Sequence, residues 1–292
     1  MEDVKGMLTG QELMQRIQKN VGVPWQSQRP DGFADGVNIG NPETVVTGIV
    51  TSYAATVEVL RRAVASGRNT ILCRETPFYS RGERAPTAYR NAPAPPKELT
   101  DKDSVCRFKQ DLISENNLLI IRFVDNWDAR NTNGQLRGLV RALGWDQLSH
   151  NRNDDYSTSA AVFQVPVTSL GNLARSISEN LKIRSARVIG DPQSSVSVVA
   201  VTHGVILVSD AERMLRERPD VVVAGDAVEW EAVPYFQDLV TAGRAKGLVL
   251  VGNEASEDPG MSEMATWLKT FVTEVPIEWI SAGEPFWTLR NV

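Results

Sequence analysis

Short, wholly apolar runs alternate with stripes of apolar residues spaced three and four apart along most of this chain. That is the pattern of buried strands joined by amphipathic helices. Thr9-Gly10-Gln11-Glu12 matches a capping box and opens a helix with Leu13, Ile17 and Val21 on one face. Residues 23–41 are rich in Gly, Pro, Asp and Asn and predict a loop whose Gln26, Gln28, Arg29 and Asp31 are candidates to line a crevice. A β-branched run over 44–50 predicts a strand, and 54–65 a helix with Gly67 at its C-terminal end. A strand over 70–73 follows, a spacing that predicts parallel, right-handed pairing. Residues 80–100 are rich in Arg, Pro and Ala and read as an irregular surface excursion, a lid or a subunit contact. A helix over 103–116, a strand over 118–123 and a helix over 134–143, stopped at Gly144, complete the first half.

The polar, turn-rich stretch 146–160 reads as a linker between an N-terminal lobe, 1–145, and a C-terminal lobe, 161–292. The second half begins with a helix over 170–181, with Leu173, Ile177 and Leu181 in line. Residues 187–190 and 196–201 predict a hairpin turned by Asp191-Pro192. A helix ending near Arg218, a strand over 221–224, a helix over 230–242 and a strand over 248–251 form a further β-α-β unit. The last helix, 261–271, presents Met264, Trp267, Leu268 and Phe271 to a core. The fold class is α/β: two lobes with mixed sheets facing each other across a polar crevice.

Composition narrows the chemistry more than the fold. The 292 residues carry a net charge of −5 with no basic cluster, which makes nucleic acid an improbable main partner. No apolar run is long enough for a bilayer, and the N-terminus lacks the features of a signal peptide, so a cytoplasmic protein with no membrane partner is expected. Cys73 and Cys106 are the only cysteines, which fits a reducing compartment. With only His150 and His203 present, no histidine-rich zinc cage can form, and His203, beside a turn, reads as structural. There is no phosphate-binding glycine loop and no nucleophile elbow. Cys73, inside a strand, reads as core.

Three apolar runs end in acidic clusters. Ile71-Leu72-Cys73 ends in Arg74-Glu75-Thr76-Pro77, Leu119-Ile120-Ile121 leads to Val124-Asp125-Asn126-Trp127-Asp128, and Leu248-Val249-Leu250-Val251-Gly252 leads to Asn253-Glu254-Ala255-Ser256-Glu257. Charged residues at the carboxyl ends of strands commonly face a crevice in open α/β sheets.

Together these segments, with the tail Ala282-Gly283-Glu284-Pro285-Phe286-Trp287, resemble the Nif-three-like (NGG-one-interacting factor three) family. Its members are also called dinuclear metal centre proteins or GTP cyclohydrolase I type 2 homologues. The resemblance spans most of the chain. It implies His-His-Pro or His-Glu-Pro after the first strand, H-x-x-x-D after the second and H-x-x-x-E after the third, together holding two metal ions. By that resemblance the metal positions are Glu75, Asp128 and Glu257, while Arg74, Val124 and Asn253 stand where histidines are expected. Every imidazole is replaced and every carboxylate kept. The resemblance also implies a homohexamer.

An oxygen-only set would favour Mg²⁺ or Mn²⁺ over Zn²⁺ as a divalent cofactor. Arg74 would supply a permanent charge in place of metal and can pair bidentately with a carboxylate. The leading expectation is a degenerate dinuclear metal site that binds a small ligand, phosphorylated or nucleotide-like, with little metal-dependent catalysis. The alternatives are an active Mg²⁺- or Mn²⁺-dependent hydrolase, with Asp226 or Glu229 as general base, and a ring-forming scaffold or adaptor.

Overall fold

The computed structural model describes residues 7–26, 35–75, 77–78, 103–148 and 160–289. They form two compact units: residues 1–130 with 264–282, and residues 131–263 with 283–292. The expected lobes were 1–145 and 161–292, with 146–160 between them. The helix at Gly134–Ala142 instead packs on the sheet of the second unit, because Leu136, Leu139 and Val140 share a core with Phe163, Val199 and Val221. The excursion at 80–100, His150 and most of the 146–160 stretch lie outside the described residues.

The first unit is built on a five-stranded sheet in the order β1-β4-β3-β2-β12. Its strands are β1 (Gly36–Ile39), β2 (Ile49–Ser52), β3 (Thr70–Cys73), β4 (Leu119–Arg122) and β12 (Ile277–Trp279). The expected parallel pairing of β2 with β3 is found; β3–β4 and β2–β12 are also parallel, and β1 runs antiparallel to β4. The central strands are buried along their whole length because both of their faces are covered. Val50, Ile71, Cys73 and Ile120 meet α2 (Val57–Ala65) and α3 (Ser104–Glu115) through Leu60, Ala63 and Ile113. Helix α1 (Gly10–Asn20) is capped by the Thr9 side chain, as its sequence predicts, with Leu13 and Ile17 buried. The strand expected at 44–50 begins five residues later, at Ile49. Val45 makes only an isolated bridge with Thr9, and β1 occupies part of the expected loop.

The second unit holds a sheet in the order β5-β7-β9-β11-β6, with β5 (Ala160–Ser169) and β6 (Arg187–Ile189) at its edges, and a parallel pair, β8 (Val205–Ile206) with β10 (Asp226–Ala227). Here β7 (Ser195–Thr202), β9 (Val221–Ala224) and β11 (Gly247–Leu250) run parallel. Their side chains alternate between two cores. Val199, Val221 and Val249 face α5 (Gly134–Ala142) and α6 (Leu170–Leu181), while Ala200, Val222 and Leu248 face α7 (Val208–Leu215) and α8 (Ala232–Thr241).

Two expectations fail here for physical reasons. Strand β6 (Arg187–Ile189) does not form a hairpin with β7. Half-exposed and short, it takes the sheet edge against β11, while the better-buried β7 lies inside, between β5 and β9. Strand β5 (Ala160–Ser169) was hidden by Pro166, which an edge strand tolerates through the register shift between Gln164 and Thr168.

The last long helix, α9 (Asn253–Leu268), starts eight residues earlier than expected, since Pro259 lies inside it. Its Gly260 meets Gly138 of α5 backbone to backbone. A Cβ on Gly138 would come within 2.5 Å of the Gly260 nitrogen, and a Cβ on Gly260 within 1.5 Å of the Gln135 side-chain oxygen. No described helix is long and apolar enough to cross a membrane.

Candidate functional site

The first unit presents Arg74 immediately after β3 and Asp128 at the end of the single-turn helix α4 (Asp125–Asp128). Arg74 donates from Nη1 to Asp128 Oδ1 at 2.9 Å and from Nη2 to Oδ2 at 2.8 Å. This parallel, two-bond arrangement is the strongest geometry open to a guanidinium and a carboxylate. Arg74 is only 9 % exposed, so the pair is screened little by water on that side. Val124, where the family resemblance expects a histidine, is buried and precedes α4. Glu75 is half-buried, and its backbone N–H donates to the Tyr53 carbonyl.

What holds the Asp128 turn in place is a residue the sequence did not single out. The carboxylate of Asp35 accepts bonds from the backbone N–H groups of Val124, Asp125 and Asn126, from the Asn126 amide at 3.0 Å, and from Arg122 at 2.8 Å. Arg122 also reaches Asp125 at 2.7 Å. The Asn126 carbonyl oxygen accepts from the Gln26 backbone N–H, so Gln26 enters this turn through its main chain. Gln28, Arg29 and Asp31 lie outside the described residues. Asp35 sits in a polar loop that only the fold brings to β4, which is why no sequence spacing betrays it.

Lys109 was missed for a similar reason. It is 1 % exposed, donates to the Pro77 carbonyl, and burial lowers its pKa below the usual lysine range. Burial pushes the neighbouring Cys73 thiol up to about 12, consistent with a core role rather than a nucleophilic one.

In the second unit, Asn253 and Glu257 fall one turn apart on α9, and the Asn253 amide donates to Glu257 Oε2 at 3.4 Å. His203, set aside as structural from the sequence, lies against this carboxylate, with Nδ1 3.0 Å from Glu257 Oε1. Its Nε2 is 3.4 Å from the Asn133 amide nitrogen. An amide nitrogen donates, so in this arrangement Nδ1 carries the proton toward Glu257. Gly204, at φ +73°, lets the chain turn there, and its N–H donates to Ser256 Oγ at 2.9 Å. Scarcity was the one available signal for His203, since it is one of two histidines. Burial, followed by Asp258 and Glu284, pushes the Glu254 carboxyl up to about 7. Asp226 and Glu229, considered as bases, pair instead with Arg187 on the surface, Asp226 at 2.9 Å.

As placed, these carboxylates are engaged by side chains of the protein itself. Asp128 spends both oxygens on Arg74, and Glu257 spends its own on His203 and Asn253. Among the described residues, no group of three or more His, Cys, Asp or Glu side chains is placed to hold a metal ion.

Fold and residues together define an α/β protein with mixed sheets and engaged strand-end carboxylates. The Duf34/NIF3 (NGG1p interacting factor 3) family pattern matches residues 9–284, and the chain belongs to that family. Among solved structures it is similar to SA1388 from Staphylococcus aureus, at 18 % identity and a TM-score of 0.66 over 97 % of this chain and 100 % of that one. Protein ybgI, of unknown function, is 18 % identical with a TM-score of 0.67, over 96 % of this chain and 100 % of that one. A Bacillus cereus protein related to NIF3 is 14 % identical with a TM-score of 0.65, over 97 % and 99 % respectively. At these identities the likeness is one of fold. Among curated proteins no sequence matches.

Proposed function

We propose that this chain is a NIF3-family protein in which internal ion pairs and hydrogen bonds have taken the place of a divalent metal centre. It acts by binding a small ligand, with little metal-dependent turnover. The observation that carries this reading is the bidentate Arg74–Asp128 pair, which uses both carboxylate oxygens at 2.9 and 2.8 Å. A cation approaching Asp128 meets a fixed guanidinium charge first. A phosphorylated or nucleotide-like ligand would reach Arg74 only by displacing Asp128, so inorganic phosphate should bind more tightly to Asp128→Ala than to the parent.

Metal analysis of the purified protein, followed by Mn²⁺ titration calorimetry, tests the proposal. The expected result is no saturable binding at about 1 mM Mn²⁺, an affinity too weak to matter for a resident metal. Stoichiometric metal that is lost in Asp128→Ala would overturn it. The double variant Arg74→His with Val124→His, which returns two imidazoles near Asp128, should gain measurable Mn²⁺ or Zn²⁺ binding. The homohexamer implied by the family resemblance belongs to the same proposal, and light scattering coupled to size exclusion tests it.

A further inference from the structure

The second unit contains a cavity of about 440 Å³, the size of a pocket for a small organic molecule. It uses neither Arg74 nor Asp128, so it stands apart from the proposal above and the two can fail separately. Its floor is apolar: Val162, Ile206 and Met214 line it, each less than a tenth exposed, and they continue the core beneath α7 and α8. The Met214 thioether is polarizable and packs well against flat rings. His203 completes the wall. Its two ring nitrogens are engaged by Glu257 and Asn133, so it offers a ligand a fixed, flat surface rather than a hydrogen bond.

The opening carries charge, but that charge is already matched. Asp210 and Arg213, on one side of α7, are paired with each other, and the second Asp210 oxygen accepts from the Leu207 backbone N–H at 3.0 Å. Glu217, in the turn after the helix, has a partner as well. A charged ligand group would therefore exchange one exposed partner for another, a trade worth little. It would also surrender part of its own hydration beside an apolar floor. An uncharged group avoids that loss. Arg213 can still serve such a group, since a guanidinium has five donors and its bond to Asp210 comes from Nη2.

We infer that this cavity is a binding site for a small uncharged aromatic carboxamide, its ring on the Val162–Ile206–Met214 floor beside His203 and its carbonyl oxygen accepting from Arg213. Molecules of the same shape that carry either charge bind more weakly.

The test uses the full chain and probes of nearly one shape but different charge: benzamide, benzoate and benzamidine, the last protonated at neutral pH. Binding is followed by saturation-transfer NMR and calorimetry. Benzamide should saturate with a Kd of about 1 mM or tighter, and each charged probe should bind at least about fivefold more weakly. Arg213→Met, an exposed change to another good helix former, removes the donor and leaves Asp210 without its guanidinium. The order should then reverse, with benzamidine ahead of benzamide. Met214→Trp should abolish benzamide binding by filling the floor, with the circular dichroism spectrum confirming that the variant is folded. The inference is overturned if benzamide does not saturate, if either charged probe binds the parent as tightly, if the order is unchanged in Arg213→Met, or if folded Met214→Trp binds benzamide as the parent does.

Discussion

Asp128 and Glu257 both follow a buried strand by a helical turn, yet their partners differ in kind. Asp128 faces a guanidinium whose two donors match its two oxygens. Glu257 is held by an imidazole on one oxygen and a longer amide contact on the other. The first arrangement meets the carboxylate with a permanent side-chain charge, while the second meets it with an imidazole and an amide. A carboxylate after a buried strand can therefore be met in more than one physical way. Asp128 is met by a cation from position 74; beside Glu257 an imidazole is supplied from position 203, far away in sequence.

Substitutions can separate these two solutions, and the largest effect should come from beneath the first. Asp35→Ala removes a carboxylate with five donors and leaves Arg122 buried, so urea unfolding should register a loss of about 3–5 kcal/mol. Asp128→Ala comes next, at about 2–3 kcal/mol, because its side chain is 31 % exposed and water takes over part of the pairing. Glu257→Ala should cost less, about 1–2 kcal/mol, since it breaks hydrogen bonds to an imidazole and an amide. Equal losses in the last two would remove the distinction between a charged and a hydrogen-bonded partner.

A smaller effect concerns pH. Glu254 is pushed from the ordinary 4.5 up to about 7, first by burial and then by Asp258 and Glu284, and its Oε1 is buried without a hydrogen-bond partner. The folded protein thus favours the protonated form. Its stabilising contribution is complete below about 4.5 and is lost as the pH rises through about 7. Glu254→Gln should therefore unfold later than the parent at about pH 8, by about 1–2 kcal/mol after allowance for partial exposure, and the two should converge near pH 4. Thermal melts across that range decide the point; a parent with the same midpoint as the variant throughout would contradict it. The smallest change is expected for Arg187→Ala, about 0.5 kcal/mol or less, because Arg187, Asp226 and Glu229 pair at the surface.

The sheet strands were the most legible part of the molecule. Ile71-Leu72-Cys73, Val221-Val222-Val223 and Leu248-Val249-Leu250 are apolar on both faces and admit few other readings. Prolines obscured what lay beside them, hiding β5, whose edge position tolerates the missing N–H, and the start of α9, which runs on through Pro259 at its seventh residue. Arg74 and Asp128 were visible as residues of a motif, and their ability to pair followed from chemistry. Asp35, Lys109 and His203 were not visible as partners. Each acts through a contact across 32 to 91 positions of chain, and local spacing carries no trace of such distances.

The meeting of Gly138 with Gly260 sets a rule for how this sequence can drift. With main chains touching, neither position can accept even one methyl group unless the other segment retreats, and any retreat of α9 carries Asn253 and Glu257 with it. The two sites are thus tied as a pair by steric exclusion alone: an alanine at either would be felt first as a displaced carboxylate and only afterwards as a weaker core.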